Sequence, residues 1–192
     1  VIRLCLDVNV WVGHYLTTVR RPDLPGAVTG LARAAFAGYC RAGPLQLLVS
    51  HAMLDTLEAV MKRIPVLSPA AGLARDQIEA AAGSGILGEP PAIVLGGSAA
   101  YPLLDSEDAA VLNTAMAMRA SLLVTSNMAD FARGPRARTA TEILSRKGGV
   151  PDVIRLSHPK HAGGLVIATP FQAAGWLIRG EPAPPGVLPT QD

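Results

Sequence analysis

Three aspartates stand where carboxylates could converge on one spot. Asp7 directly ends the apolar run Val1 to Leu6. Asp108 lies in the first turn of a segment with helical character. Asp130 follows the run Ser121 to Thr125 by five residues. Asn9 and Asn127 sit beside two of these acids. Converging carboxylates repel one another unless a cation holds them. All-oxygen ligation suits Mg²⁺ or Mn²⁺, and Mg²⁺ keeps waters free for a substrate phosphate. Such an ion can stabilise the charge of a phosphodiester displacement. Plainer readings compete. Asp105 and Asp108 have capping-box spacing, and Asp130 has the place of a turn residue beside Phe131. Asp7 is harder to dismiss, because a carboxylate ending an apolar strand is costly to bury without a partner.

The elements around these residues alternate between strand and helix. Val1–Leu6, Leu45–Val49, Ser121–Thr125 and Leu165–Ala168 read as strands. Weaker strands are predicted at Ile93–Leu95, on an edge, and at Val153–Leu156. Helical spacing of apolar residues covers 9–18, 27–42, 69–83 and 105–119. Ser50 caps a further helix whose face is Met53, Leu54, Leu57, Val60, Met61 and Ile64, closed by Pro65. Pro170 opens a short last helix to Ile178. The alternation predicts an α/β fold, a three-layer α/β/α arrangement about a central parallel sheet. In such sheets ligands bind beyond the carboxyl ends of the strands, where Asp7 and Asp130 fall. Residues 132–163 read as polar, basic and irregular. The tail 180–192 holds four prolines and is expected to be disordered.

The 192 residues suit one well-cored domain, placed at 1–179. Apolar residues make up 49% and aromatics only 4%, so the core must be aliphatic. A net charge of +2 does not by itself mark a nucleic-acid binder. Local clustering does better: Arg133, Arg136 and Arg138, with Arg146 and Lys147, could meet phosphates or be an ordinary solvated loop. Nothing in the order of aromatic residues suggests base stacking. Cys5 and Cys40 form no disulfide framework, which favours a reducing, cytoplasmic compartment. No apolar run approaches the ~20 residues that span a bilayer, and no basic-then-apolar leader is seen. A short upstream segment could nevertheless precede Val1. His158 and His161 have metal-ligand spacing without a partner cluster, so a solvated loop outweighs zinc. His14 and His51 read as helix-surface or first-turn residues. The helix at 27–42 serves either core packing or a partner.

These residues resemble the PIN-domain family. Leu4-Cys5-Leu6-Asp7-Val8-Asn9 is similar to its opening strand ending in Asp-x-Asn. Val49-Ser50, then Met53-Leu54, Leu57 and Val60-Met61-Lys62-Arg63, resembles its second block. Asp105-Ser-Glu-Asp108, Ala115, Ala120, Leu123-Val124-Thr125-Ser126-Asn127 and Asp130-Phe131 resemble the third and most specific block. Leu165-Val-Ile-Ala-Thr-Pro170-Phe171 resembles the closing strand and helix. The similarity covers 2–178, with 132–163 as an enlarged linker, and is nearest to bacterial toxins of toxin–antitoxin pairs (VapC-like). It implies Mg²⁺- or Mn²⁺-dependent cleavage of RNA, an antitoxin protein partner and a homodimer. It also implies that Asp7, Asp108 and Asp130 are the catalytic, metal-binding acids. Asn9, Thr125 and Asn127 match supporting polar residues, and Thr56 and Asp105 join them as expected supporting groups.

One position departs. The second block normally reads Leu-x-Glu-Leu, and here it is Leu54-Asp55-Thr56-Leu57. At ~100° per residue, Asp55 and Glu58 do not project where Thr56 does, and they stay as weak substitutes. The alternative is a degenerate PIN domain that binds RNA or a protein without cutting. The Asp-x-Asp opening of haloacid-dehalogenase-type phosphatases is disfavoured, because Asn9 lacks the second carboxylate.

Overall fold

The computed structural model describes residues 1–21, 26–84, 93–94, 106–132, 140–158 and 161–188. Strand β1 (Ile2–Leu6) passes through Asp7 straight into α1 (Val8–Arg20). Helix α2 (Ala27–Ala37) follows, then β2 (Tyr39–Cys40), β3 (Gly43–Ser50), α3 (His51–Arg63) and α4 (Ala71–Ser84). Next come β4 (Ile93–Val94), α5 (Ser106–Ala117), β5 (Leu122–Val124) and α6 (Met128–Ala132). The chain continues through β6 (Ala140–Lys147), β7 (Val150–His158), β8 (His161–Ala168) and α7 (Pro170–Ala174). A π-helical turn, Gly175–Arg179, extends α7.

The sheet runs β2-β3-β1-β5-β8-β7-β6, with β4 also pairing to β3. Its centre is parallel: β1 lies between β3 and β5, and β5 lies against β8. These strands alternate side chains between two apolar cores, as the two-residue strand period requires. Leu4, Leu6, Leu47 and Val124 enter the core shared with α1, α2 and α4. Cys5, Leu48, Leu123 and Ile167 enter the opposite core, with Val111, Leu112 and Ala115 of α5 and Phe131 of α6. Burial on both faces is why the strands read as unbroken apolar runs. The expected α/β sandwich is therefore present, with a sheet that is parallel in its middle.

Three sequence expectations need correction. The helix placed over 27–42 ends at Ala37, because Gly38 takes a left-handed cap at φ 66°. The following residues instead form the β2–β3 hairpin. The larger correction is at 132–163, read as an irregular linker. Within it, β6 and β7 form a long antiparallel hairpin that adds to the sheet edge at β8. Lys147 pairs with Val150 across Gly148 and Gly149, both at positive φ. Gly-Gly is a two-residue hairpin signature, since both central residues of that turn need positive φ. Val153, Ile154 and Leu156 of β7 are buried, while most of β6 is open to solvent. Finally, the tail expected to be disordered is seated as far as Leu188. Val187 is 1% exposed within the first core, with Ala183 and Leu188 against it. The edge strand expected at Ile93–Leu95 is seen at Ile93–Val94, and Leu95 lies outside the described residues.

Candidate functional site

The parallel pairing of Leu6 with Val124 sets Asp7 beside Thr125. The Asp7 N–H donates to the Val124 carbonyl at 2.9 Å, and the Thr125 N–H donates to that of Ala168 at 3.1 Å. Three strand ends thus line up at one rim of the sheet. Asp7 is the N-cap residue of α1, so its carboxylate emerges where strand becomes helix. It is only 3% exposed.

Its Oδ2 accepts from the Thr125 hydroxyl and from Asn9 Nδ2, both at 2.6 Å. Asn9 also pins the next loop: its Oδ1 accepts from the Ser126 N–H at 3.1 Å. Thr125 Oγ1 accepts from the Asn127 N–H at 2.9 Å. The Asn127 amide then donates from Nδ2 to Asp108 Oδ2 at 2.9 Å and to Asp130 Oδ2 at 2.7 Å. The six residues Asp7, Asn9, Thr125, Asn127, Asp108 and Asp130 form one hydrogen-bonded chain. Burial pushes the Asp7 carboxyl above its ordinary range, and hydrogen bonds from Thr125, the Val8 N–H and Asn9 pull the other way.

The three acids are linked in series. They do not close on a common point. Among the described residues no three His, Cys, Asp or Glu side chains are grouped closely enough to hold a metal ion. The geometry gives the reason: the Asn127 amide joins Asp108 to Asp130, and Asp7 is linked to that pair through Thr125. The donor chemistry still fits a hard cation, since every candidate ligand is oxygen. Two carboxylates already share one polar N–H₂ group, and a cation is the other species that could occupy such a place.

Thr56 is half-buried on α3, which packs against α1, α4 and α5. Both suggested substitutes are paired with cations of α3 and α4. Arg75 of α4 binds Asp55 and, at 3.1 Å, Glu58. Lys62 holds Glu58 at 2.6 Å. Hydrogen bonds from Lys62 and then Arg75 keep the Glu58 carboxyl below the usual range. Both acids are therefore drawn to the cations of α3 and α4. The Ser50 hydroxyl that caps α3 is fully buried and also lies 3.0 Å from the Thr114 hydroxyl of α5, a link that sequence reading missed.

Asp105, Arg133, Arg136 and Arg138 lie outside the described residues. His14 was expected on a helix surface and is instead buried against Tyr15 and Phe36, with Nδ1 unpartnered. Its neighbours on α2 explain this: the α1–α2 contact closes over a residue whose spacing looked peripheral. Burial also raises the thiols of Cys5 and Cys40, which suits inert core residues. A pocket of about 300 Å³ adjoins Asn127, walled by α6, the β6–β7 hairpin and the start of α7. It went unpredicted because four of its ten lining residues belong to the segment read as a linker.

This fold, with Asp7 at the end of a central parallel strand and Asp108 and Asp130 on the helices beside it, defines a class of three-layer α/β/α domains. The PIN domain family model matches residues 3–129, from β1 into α6, and the chain belongs to the PIN-domain family. That family generally comprises nucleases that use divalent metal ions. The match includes Asp7, Thr56, Asp108 and Asn127 and stops one residue short of Asp130. No curated protein and no solved structure matches the chain. No helix among the described residues is long and apolar enough to cross a membrane.

Proposed function

We propose that this chain is a metal-dependent endoribonuclease and the toxin of a toxin–antitoxin pair. The observation that supports this reading best is the Asn127 amide shared between Asp108 and Asp130, with Asp7 fixed beside it on Thr125. Asp7, Asp108 and Asp130 would hold Mg²⁺ or Mn²⁺. A bound ion would supply Lewis-acid stabilisation of charge on a phosphodiester. The chain's own contribution is orientation. Asn9 and Thr125 fix the Asp7 carboxylate and the 125–127 loop, while Asn127 fixes the other two acids. The basic residues Arg133, Arg136 and Arg138 are proposed phosphate contacts, a homodimer is the proposed assembly, and the cytoplasm is the proposed compartment.

The test pairs calorimetric titration with Mg²⁺ and Mn²⁺ with a cleavage assay on single-stranded RNA. Saturable metal binding and metal-dependent cutting are expected, with both lost in Asp7→Asn. Purified protein that cuts nothing with either metal, or a D7N variant that cuts as well as the parent, would falsify the proposal.

A second reading is favoured by Thr56 and by the capture of Asp55 and Glu58 by Arg75. Three acids without a fourth would hold the ion weakly, and the domain would then bind RNA or a protein without cutting. Thr56→Glu separates the two readings. An inactive parent that gains metal affinity and cleavage on this change supports the binding role, and an active parent sinks it.

A further inference from the structure

The hydrogen-bonded chain of acids passes through Asn127, and Asn127 is also a wall of the neighbouring pocket. At about 300 Å³ the pocket lies at the small end of ligand sites, large enough for one nucleobase. Its other walls include Met128, Lys147, Pro151, Asp152 and Phe171.

Two features there have no structural role that accounts for them. The Phe171 ring is 56% exposed, and two cations lie over it: Lys147 Nζ and Arg179 Cζ, each 4.8 Å from its centre. Arg179 is anchored, donating from Nε to Glu181 at 2.6 Å and from Nη2 to the Phe171 carbonyl at 3.2 Å. Lys147 has no carboxylate partner among the described residues. The second feature is Asp152, 6% exposed. Its Oδ2 accepts from Gln172 Nε2 at 2.8 Å, but Oδ1 is shielded from solvent and meets no donor among the described residues. A buried carboxylate oxygen without a donor is costly, and a donor from a bound molecule would relieve it.

We propose that this pocket is a nucleotide subsite, taking the base next to the phosphodiester addressed by the acids. The proposal deepens the nuclease reading and rests on it for the substrate class. The base stacks on Phe171, as bases do on aromatic platforms in single-strand binders. Lys147 gives up the ring for the nucleotide's phosphate. Asp152 Oδ1, shielded from solvent in the free protein, accepts from the base edge when the pocket wall around it opens. Guanine suits it best, since N1–H and the 2-amino group both donate. Uracil suits it worst, because its single N–H lies between two carbonyl oxygens that a carboxylate repels.

The test uses the full chain in EDTA, titrated with guanosine and uridine monophosphates and followed by amide chemical shifts. Guanosine monophosphate should perturb residues around Lys147 to Asp152 and bind roughly tenfold tighter than the uridine nucleotide, the discrimination expected of one base-edge contact. Phe171→Leu keeps apolar bulk at an exposed site but removes the ring, and should weaken both nucleotides roughly tenfold. Asp152→Asn is isosteric and should erase the base preference. Circular dichroism confirms that each variant folds. Absence of binding at this pocket, or binding indifferent to F171L, overturns the subsite, and a preference unchanged in D152N overturns the role of Asp152. If nucleotides bind here while no RNA is ever cut, the nuclease reading fails and the subsite stands. If RNA is cut but nucleotides ignore the pocket, the subsite fails and the nuclease reading stands.

Discussion

Two groups of carboxylates in this protein are held by opposite means. On α3, Asp55 and Glu58 meet Arg75, and Glu58 also meets Lys62. At the rim of the sheet, Asp7 rests on a threonine hydroxyl and an asparagine amide. The consequences for proton affinity are opposite as well. Cationic hydrogen-bond partners hold Glu58 below the ordinary carboxylate range, while burial holds Asp7 above it. A cation cancels a carboxylate's charge, whereas a neutral donor only aims it. The α3 acids are therefore satisfied where they are. Asp7 is oriented and still costs free energy as an anion, which is the condition in which a divalent ion would be most welcome. Placing a strained charge on a rigid rim is a common feature of functional sites.

The comparison breaks first at Asp7. Asp7→Asn should reduce metal-dependent cleavage by more than about a hundredfold, beyond the loss typical of residues that merely orient ligands. It should lower the thermal midpoint only slightly, because the amide oxygen keeps the bonds from Thr125 and Asn9 and the loss of the buried charge offsets the lost acceptance from backbone N–H groups. A large loss of stability would show instead that the carboxylate is structural. Asn127→Ala comes next, with a loss of roughly 10–100-fold in metal affinity or cleavage, since it removes the group that orients two acids at once. An unchanged calorimetric titration would exclude Asn127 from the site.

Arg75→Met tests the other half of the comparison. It should lower the thermal midpoint slightly and leave metal binding and cleavage unchanged, because the pairs it breaks are partly open to solvent and share no hydrogen bond with the chain of residues at the rim that holds Asp7. Altered metal titration in R75M would return Asp55 or Glu58 to the list of ligands.

The smallest effect concerns His14, a buried group whose proton affinity moves the other way. Burial, and then the charge of Arg33, lower its pKa from 6.5. The folded state therefore binds this proton less readily than the unfolded state does. Its contribution to stability is complete above about pH 6.5 and declines as pH falls below that value toward the lower folded-state pKa. Urea denaturation at pH 7.5 and 5.5 should show a smaller acid-induced loss in His14→Phe than in the parent. An equal loss in both would assign the acid sensitivity elsewhere.

Much of the site could be read before any coordinates. Asp7, Thr125 and Asn127 each abut an apolar run buried on both faces, and such runs announce strands with little ambiguity. The edge of the sheet was less legible. In Thr141-Glu-Ile-Leu-Ser-Arg-Lys147 the polar residues belong to a strand open to solvent, and its register shifts near Ser145 blur the two-residue alternation. Gly148-Gly149 was the one local cue, and it lay in a segment that composition marked as irregular. Phe171 looked like the start of a closing helix. Nothing in its neighbours suggested Lys147, which reaches it only because β6 and β7 fold back beside β8.

The sequence alone determined the α/β class, the strand-end position of Asp7 and the polar residues that accompany it, because these follow from local periodicity and adjacency. Tertiary structure decided how those residues are joined. Pairing of β1 with β5 set Thr125 on Asp7, and the 125–127 loop carried the Asn127 amide to Asp108 and Asp130. It also decided that Glu58 belongs to Arg75 and that a pocket stands beside the acids. Those outcomes depend on side chains brought together from distant parts of the chain, and contact across such separations is fixed by packing and not by any local pattern.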